Sequence, residues 1–450
     1  MSRFILAGTH SGCGKTTLTC AILQALVNRG LSVSAFKCGP DYIDPMFHRS
    51  VLGIPSHNLD GFFCGKEALR ALLNRYAGDV NVIEGAMGYY DGLEDGTASA
   101  YRLAEDTGTP AVIVIDCKGM GQSVGAVMQG FIHFRQPGHV AGFIFNRLPE
   151  SRIPAVRQLC DAMNVTFFGA FPFRKELSLP SRHLGLVTAD ELHNIRQVMR
   201  QLGSLAEEHL DIDALAALMP CDEEIVCPTA FSCRNARHPR IAVARDSAFC
   251  FYYEETLDLL WEMGCELVFF SPLHDAALPD GVSGLLLGGG YPELHARALS
   301  ENTSLRAGLK EKIAAGLPTV AECGGFLYLH EQLEGNDGQT YPMVGALKGK
   351  AFRTERLQRF GYVTLTASRD SLLCRSGESL PAHEFHYWES ENCGGDFTAC
   401  KASNGLTYPC IHATDSLYAG FPHLYLYAKP EAAERFVRKC EEYAFHATFE

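Results

Sequence analysis

The stretch that most constrains the fold of this 450-residue chain runs from residue 3 to residue 17 and reads RFILAGTHSGCGKTT. A short apolar run typical of a strand leads into a loop with glycines, and the following LTCAILQALVNRG has the apolar spacing of a helix. Strand, glycine loop and helix in this order are typical of a phosphate-binding loop, where backbone N–H groups and the helix N-terminus face phosphate oxygens. The stretch therefore predicts a nucleotide-binding α/β domain at the start of the chain.

The residue types in this loop suggest individual roles toward a nucleotide. Lys15 can reach the terminal phosphates, and Thr16 can offer its hydroxyl to Mg²⁺. The spacing departs from G-x-x-x-x-G-K-[ST], because Gly8 lies one residue too far upstream and Thr9 fills the usual glycine position. We expect ATP and Mg²⁺ as cofactors, and the predicted ATP contacts are Thr9, Gly12, Gly14, Lys15, Thr16 and Thr17.

Composition excludes several classes of protein. With 47% apolar and 20% charged residues the chain is typical of a soluble globular protein, and its length predicts two or three domains. The net charge of −13 argues against a general nucleic-acid partner. No apolar run approaches a membrane helix and no leader precedes the first strand, so we expect a cytoplasmic protein with no membrane partner.

The cysteines predict neither disulfides nor a zinc site. There are 17 of them, without a C-x-x-C pair, and the gaps between Cys221, Cys227 and Cys233 fit no zinc-ligand spacing. We expect reduced and mostly structural thiols.

Acidic residues follow two of the predicted strands of the first half. Asp41 and Asp44 lie in the turn after LSVSAFKCG, and Glu84 ends the strand DVNVIE, with Asp91 in the glycine-rich turn beyond it. Ligands of open α/β sheets bind at the carboxyl ends of strands, and Mg²⁺ takes one or two carboxylates besides phosphate oxygens. These residues therefore suggest metal or substrate contacts, whereas a β-turn, a helix cap and a surface glutamate are the alternative reading.

Further strands complete this half. TPAVIVID and HVAGFIFN are buried-looking strands, and the second ends at Asn146 and Arg147 on the nucleotide side. A last strand leads into a basic loop, which is either a solvated loop or a contact for an acidic substrate. Its basic residues are Arg174, Lys175, Arg182 and His183.

The alternation of strands and helices restarts in the second half. A helical run ends near Met219, residues 220–238 show no sustained periodicity, and RIAVARDSAF begins a new α/β unit. We therefore predict a P-loop domain at 1–219, a linker at 220–238 and a second domain at 239–450. The expected fold class is α/β with two doubly wound domains, the first built on a mostly parallel sheet.

The second half contains a candidate nucleophile. GLPTVAECGGFLYLHEQL reads as strand, sharp turn and helix with Cys323 at the turn, where an exposed thiol beside a helix N-terminus would have a lowered pKa. A buried structural cysteine is the alternative. The segment SGLLLGGGYPELH can offer backbone N–H groups to an oxyanion. The candidate bases are His383, His386, His412 and His423, of which only the last begins a strand-like run before a C-terminal helix.

Two groups of motifs resemble the cobyrinate a,c-diamide synthase family. The loop, K-x-G-P-D-Y-I-D-P and I-E-G-x-M-G-x-Y-D-G are similar to the ATP-dependent amidoligase domain of that family, which is of the dethiobiotin synthetase type. G-G-G-Y-P-E, E-C-G-G and G-F-P-H are similar to class I glutamine amidotransferases of the cobyrinate type. The resemblance implies the metal ligands Thr16, Asp41 and Glu84. It implies substrate or intermediate contacts at Lys37, Tyr42, Asp44 and Asp91.

For the second domain the resemblance implies that Cys323 attacks the side-chain amide of glutamine, while His423 acts as its base and then protonates the ammonia. Gly289 and Gly324 would surround the oxyanion. Many class I amidotransferases carry a Glu two residues after the His, where this chain has Tyr425, so the third catalytic residue stays unidentified. The histidines of HEFHYWES, 383 and 386, are structural, substrate or interface residues in this interpretation.

The resemblance implies ATP- and glutamine-dependent amidation of the a and c carboxylates of cobyrinate through an acyl phosphate, in cobalamin biosynthesis. The same chemistry on hydrogenobyrinate or nickel sirohydrochlorin, and amidation of the cobyric acid synthase type, are alternatives. A nucleotide switch of the ParA or MinD kind with an inert fused domain is the alternative from another class. A homodimer is one assembly that the sequence leaves open.

Overall fold

The computed structural model describes residues 1–177, 189–219 and 238–447. Contacts divide the chain into two compact units, Met1–Thr229 and Ala230–Glu450. The predicted linker lies outside the described residues apart from His238, so its boundaries stay a prediction. Arg182, His183 and the three closely spaced cysteines also lie outside the described residues.

The first unit is built on a sheet of seven strands. The strands are β1 (Ser2–Gly8), β2 (Val33–Cys38), β3 (Ser56–Leu59), β4 (Val80–Glu84), β5 (Ala111–Asp116), β6 (Val140–Asn146) and β7 (Thr166–Phe171). The helices are α1 (Lys15–Asn28), α2 (Ile43–Phe47), α3 (Lys66–Arg75), α4 (Ala100–Thr107), α5 (Ser123–His133), α6 (Ile153–Ala162), α7 (Ala189–His209) and α8 (Ile212–Ala216). A π-helical turn spans His48–Leu52, and 3-10 turns span Glu150–Arg152 and Lys175–Leu177.

All neighbouring strands of this sheet run parallel, in the order β3-β2-β4-β1-β5-β6-β7. Parallel strands covered by helices are continuously apolar, as the sequence AVIVID of β5 is. Strand β1 lies between β4 and β5, and the chain enters α1 from its carboxyl end. The phosphate-loop sequence therefore opens at the edge of the sheet where ligands bind in open α/β folds.

The second unit carries a central sheet and smaller antiparallel layers. The strands are β8 (Arg240–Ala244), β9 (Phe249–Phe251), β10 (Glu266–Phe270), β11 (Gly284–Leu287), β12 (Gly289–Gly290), β13 (Thr319–Glu322), β14 (His330–Glu334), β15 (Thr340–Pro342), β16 (Leu347–Arg353), β17 (Arg359–Ala367), β18 (Ser379–His386), β19 (Trp388–Ser390), β20 (Phe397–Lys401), β21 (Thr407–Cys410), β22 (His412–Ala413), β23 (Leu417–Gly420) and β24 (His423–Leu424). The helices are α9 (Glu254–Glu262), α10 (Ala296–Glu301), α11 (Thr303–Ala314), α12 (Gly324–Leu329) and α13 (Pro430–Ala447), with 3-10 turns at Pro292–Leu294 and Leu426–Ala428.

The central sheet of this unit has the order β10-β8-β11-β13-β23-β22, in which only the last pair is antiparallel. An antiparallel sheet of order β21-β20-β17-β18-β24 carries the HEFH part of HEFHYW at the end of β18, and Trp388 begins β19. The predicted fold class, α/β with two domains, is confirmed. No helix within the described ranges is long and apolar enough to cross a bilayer.

The segment after Cys323 differs from the prediction of one continuous helix. Helix α12 ends at Leu329, and HEQLE forms strand β14. The ring of His330 explains the change, because Nδ1 lies 2.9 Å from the Phe326 carbonyl oxygen and Nε2 lies 2.6 Å from Ser390 Oγ. These buried hydrogen bonds hold the chain in an extended course beside β16.

Candidate functional sites

The phosphate loop of the first unit is held from the neighbouring strand β6. Gly14 precedes α1 with a φ of 101°, and a Cβ at this position would lie 2.3 Å from Asn146 Nδ2. Asn146 donates a hydrogen bond of 2.8 Å from Nδ2 to the carbonyl of Cys13. Only glycine meets both demands, the left-handed backbone and the missing side chain. Arg147, the next residue, pairs with Asp116 instead, with Nε 2.7 Å from Oδ1.

Lys15 and Thr16 begin α1 and connect the loop to the end of β4. Lys15 Nζ donates hydrogen bonds to the carbonyls of His10, at 3.2 Å, and Met87. Burial lowers the pKa of Lys15. The Thr16 hydroxyl donates a hydrogen bond of 2.7 Å to Glu84 Oε1. The ammonium is thus held by neutral carbonyls, which nucleotide phosphates can replace.

The other predicted ATP contacts lie on the same loop. Thr9 Oγ1 is 3.0 Å from His10 Nδ1, Gly12 has a left-handed φ of 80°, and Thr17 is half-buried on the first turn of α1. The structure brings these residues to one edge of the sheet, and their contacts with ATP stay predictions.

Lys37 links the carboxylates that follow β2 and β4. Its Nζ lies 2.5 Å from Asp44 Oδ2, 3.1 Å from Glu84 Oε1 and 3.9 Å from Asp41 Oδ2. The pairing follows from strand register, since Lys37 on β2 lies opposite Glu84 on β4. Lys37 and Glu84 are buried, so a single buried ammonium group faces three carboxyl groups in this cluster.

Burial and mutual attraction shift the protonation of this cluster. For Lys37, burial opposes the charged form, but Asp44 and Glu84 raise its pKa well above the ordinary value. Burial and the nearby Asp44 raise the pKa of Glu84. Burial would also raise the pKa of Asp44, but the larger combined effect of the Lys37 charge and hydrogen bond lowers it to about 2. Burial and Asp44 also raise the pKa of Asp41, to about 7.

Two of the three predicted metal ligands, Thr16 and Glu84, are arranged as a hard cation such as Mg²⁺ would require. Thr16 and Glu84 meet, and Glu84 Oε2 is a buried carboxylate oxygen with no hydrogen-bond partner among the described residues. Within those residues no group of three His, Cys, Asp or Glu side chains is able to hold a metal. Oxygen ligands shared with nucleotide phosphates are what Mg²⁺ prefers. Asp41 lies 3.9 Å from Lys37 and interacts with Asp44, and its metal role remains a prediction.

Tyr42 and Asp91 are both predicted substrate contacts. Tyr42 is buried directly before α2. Asp91 Oδ2 accepts a hydrogen bond of 2.9 Å from the backbone N–H of Gly88, and its charge raises the pKa of Lys15 against the larger effect of burial. Neither contact tests a role toward a substrate.

In the second unit Cys323 occupies a strained turn between β13 and α12. Its φ of 44° and ψ of −100° are rarely adopted by a residue with a side chain and cost on the order of 1–3 kcal/mol. The backbone N–H of Cys323 donates to the carbonyl of Gly420 at 2.8 Å, which ties the turn to β23. Such stored strain is typical of functional positions.

His423 and the Cys323 turn pack against the same glycine segment. A Cβ on Gly289 would lie 2.5 Å from His423 Cε1, and a Cβ on Gly324 would lie 3.3 Å from the carbonyl carbon of Gly289. The predicted nucleophile turn, base and oxyanion glycines are therefore brought together. The alternative base His412 packs elsewhere, with Nε2 2.9 Å from the carbonyl of Asn392.

The protonation of this pair differs from the expectation of an exposed, acidic thiol. Cys323 is only 8% exposed, and burial raises its pKa, as do Glu293 and Glu322 to a smaller extent. Burial lowers the pKa of His423 to about 3. The expectation of a lowered thiol pKa was wrong because desolvation outweighs any benefit from the six-residue helix α12. The resting pair is a neutral thiol beside a neutral imidazole.

Sequence reasoning missed one residue at this site. Glu322 Oε2 lies 3.8 Å from Nδ1 of His423, and the carboxylate accepts a hydrogen bond from the backbone N–H of Leu424. The signal was present in the motif E-C-G-G, where Glu322 stands directly before the nucleophile.

Strand β18 brings the histidines of HEFHYW close to His423. His383 is opposite His423 in the register of β18 and β24. The ring of His386 stacks on Phe421 with centroids 3.7 Å apart, and its Nδ1 lies 2.6 Å from the carbonyl oxygen of Trp388. Burial lowers the pKa of both histidines to about 4. They are thus neutral neighbours of the site.

Comparison with known proteins matches both halves of the chain. Residues 240–429 match the model of the CobB/CobQ-like glutamine amidotransferase domain, and residues 4–187 match that of the CobQ/CobB/MinD/ParA nucleotide binding domain. A protein of Caldanaerobacter subterraneus named cobyrinate a,c-diamide synthase is 37% identical over 98% of each chain. A protein of the same name from Clostridium acetobutylicum is 35% identical over 97% of this chain and 100% of its own.

Proposed function

Since the chain belongs to the cobyrinate a,c-diamide synthase family, we propose that it amidates the a and c side-chain carboxylates of cobyrinate with ATP, Mg²⁺ and glutamine. Family membership rests on relatives of that name that match almost the whole chain. The observation that carries the proposal is the presence of two complementary sites. One is a phosphate loop joined through Thr16 to a carboxylate cluster, and the other is a cysteine turn and a histidine that pack against the same glycine segment. One activates a carboxylate, and the other releases ammonia.

In the first unit the carboxylate attacks the γ-phosphate of ATP, giving an acyl phosphate and ADP. Lys15 neutralises the charge on the transferred phosphoryl group, as phosphoryl transfer requires. Mg²⁺, when bound with Thr16, Glu84 and Asp41, would shield the phosphate charges from the incoming carboxylate. Residues proposed to bind the acceptor or the intermediate are Lys37, Tyr42, Asp44 and Asp91.

In the second unit Cys323 Sγ attacks the amide carbon of glutamine. His423 takes the thiol proton and transfers it to the departing nitrogen, which leaves as ammonia. Backbone N–H groups at Gly289 and Gly324 would stabilise the oxyanion. Water then releases glutamate from the thioester, and the ammonia attacks the acyl phosphate to give the amide and inorganic phosphate.

The first test separates the two sites. In Cys323→Ala, glutamine-driven amide formation should vanish while ammonia-driven formation continues at the wild-type rate. Cys374→Ala is the matched control, because this thiol is also buried and lies in a turn where its backbone N–H donates to Ser371 Oγ. Loss of ammonia-driven synthesis in a Cys323→Ala protein with wild-type circular dichroism would contradict the division of labour.

The second test identifies the acceptor. ADP release is measured with glutamine and, in turn, cobyrinate, hydrogenobyrinate, nickel sirohydrochlorin and cobyrinate a,c-diamide. The proposal predicts turnover with cobyrinate and two ADP per molecule. Preference for the a,c-diamide would favour amidation of the cobyric acid synthase type. Turnover that ignores every acceptor and glutamine would favour a nucleotide switch.

A further inference from the structure

The residue directly before the nucleophile faces the base. Besides the 3.8 Å approach of its Oε2 to His423 Nδ1, the Glu322 carboxylate accepts a hydrogen bond from the backbone N–H of Leu424. Glu322 thus contacts β24 twice, at the ring of one residue and at the backbone of the next. We propose that Glu322 is the positioning residue of the glutaminase site, holding His423 with Nδ1 protonated and Nε2 available to the thiol. This inference rests on the proposed roles of Cys323 and His423.

The fold explains how Glu322 reaches this histidine. Strand β13 pairs with β23 up to Glu322, which lies opposite Gly420. The chain then continues from Gly420 and begins β24 at His423 three residues later. The last side chain of β13 is therefore next to the first side chain of β24. A carboxylate at this point orients the histidine from the end of the strand, directly before the turn with the nucleophile.

The position two residues after the histidine is used differently in this chain. Tyr425 is buried, and its ring meets Tyr253 edge-on with centroids 5.0 Å apart. It belongs to an aromatic contact with the segment before α9 and supplies no carboxylate. Glu322, by contrast, brings a carboxylate into ion-pair range of His423.

The chemistry of the site gives Glu322 a defined task. When His423 takes the thiol proton it becomes an imidazolium in a buried environment, and an adjacent carboxylate stabilises that charge. The separation of 3.8 Å is longer than a hydrogen bond. Catalytic hydrogen bonds are often long before substrate binds and shorten in the complex.

Burial makes this pair neutral at rest. It raises the pKa of Glu322 to about 8, against the opposing hydrogen bond from Leu424, and lowers the pKa of His423 to about 3. The carboxylate form of Glu322 therefore increases as the pH rises toward 8. The other titratable groups that act on these two residues or on Cys323 are Tyr252, Tyr418, Glu293, Glu384, His383 and His386.

Glu322→Gln is the discriminating variant. Its amide oxygen can still accept from Leu424, so a purely structural role predicts wild-type activity. The amide nitrogen cannot accept from His423 Nδ1–H, so we expect kcat for glutamine hydrolysis to fall about 100-fold or more, with KM within about 3-fold. The wild-type kcat/KM should rise between pH 6.5 and 8.5, and the variant should lack this rise. Glu322→Asp should recover part of the rate.

Ammonia-driven synthesis serves as the internal control and should be unchanged in every Glu322 variant. Glu334→Gln is the matched control, because that half-buried carboxylate faces Lys350 at 3.3 Å rather than a histidine. Wild-type kcat and pH profile in Glu322→Gln would overturn the inference. If Glu322→Gln folds poorly, the pH profile of glutamate formation in Glu322→Asp decides it, since a profile without a rise between pH 6.5 and 8.5 contradicts positioning by an ionised carboxylate. A wild-type enzyme that fails to amidate with ammonia would instead contradict the proposed function, and glutamate formation would still report on Glu322.

Discussion

Lys37 Nζ lies 3.1 Å from Glu84 Oε1, across the β2 and β4 pair and directly below the phosphate loop. Glu84 accepts a second hydrogen bond from Thr16 through the same oxygen. The buried lysine therefore supplies the positive charge that a carboxylate at this depth needs. A cation bound with ATP at Glu84 would compete with Lys37 for that carboxylate.

Replacing Lys37 by Met should destabilise the first unit strongly. Removing one partner of a buried ion pair leaves an uncompensated charge and costs about 3–5 kcal/mol. The free energy of unfolding in urea measures the loss. Lys66→Met, at an exposed position that begins α3, should change it by less than about 0.5 kcal/mol.

A second variant tests whether the loss comes from unpaired carboxylates. The double variant Lys37→Met with Glu84→Gln also removes one of the buried carboxylates that lost their partner. It should therefore recover part of the unfolding free energy that Lys37→Met alone loses. Equal or larger destabilisation in the double variant would show that Lys37 acts by packing alone.

Gly14→Ala should impair ATP binding more than it impairs folding. The added methyl group meets both a left-handed backbone and the side chain of Asn146, which holds the Cys13 carbonyl. Gly30→Ala has a similar φ of 76° but open space around the methyl group. Both variants should lose on the order of 1 kcal/mol of stability. Only Gly14→Ala should weaken ATP binding by calorimetry, by about 10-fold or more, and equal affinities would contradict this role.

Gly289→Ala should strongly reduce glutamine-driven activity while ammonia-driven activity persists. The new methyl group would require His423 to move, since it would lie 2.5 Å from Cε1. We expect a fall in kcat of about 100-fold, because misplacing a catalytic group by 1 Å is that costly. Gly308→Ala, on α11 with open space around it, is the control. Retention of glutaminase activity in Gly289→Ala would mean that His423 is not the base.

Much of the fold could be predicted from the sequence, because it depends on local patterns. The strand, loop and helix around Lys15 and the restart of alternation near residue 239 are both periodicity signals, and the α/β fold they predicted is confirmed. Strand β3 was not predicted, since SHNL has no apolar alternation and exists through its register with β2. Strand β14 replaced a predicted helix for the same reason, long-range contacts of His330.

The candidate sites could likewise be predicted only in part, because some of their features are local in sequence and others depend on long-range contacts. Residue types in motifs identified Thr16, Glu84, Cys323 and His423, which the structure places in two groups. The partners of these residues depend on which strands become neighbours, so the pairing of Lys37 with Glu84 could not be read from sequence. Burial is also a tertiary property, and it reversed the expected pKa shift of Cys323. Glu322 was missed because its partner is 101 positions away.

His330 should make stability depend on pH in a measurable way. Its ring is fully buried between Phe326 and Ser390, and burial lowers its pKa from 6.5 to about 4. Below pH 6.5 the unfolded chain binds a proton at this residue that the folded chain does not. Stability from this group is therefore complete above pH 6.5 and falls as the pH drops toward 4, by about 2 kcal/mol between pH 7 and pH 5.

His330→Gln removes this titration, so its urea unfolding free energy should fall less between pH 7 and pH 5 than that of the wild type. The other buried histidines contribute equally to both proteins and cancel in the comparison. His274→Gln, at an exposed position, is the control and should keep the wild-type pH dependence. Identical pH dependence in His330→Gln and wild type would mean that the pKa of this ring is the same in the folded and the unfolded chain, and would contradict the prediction.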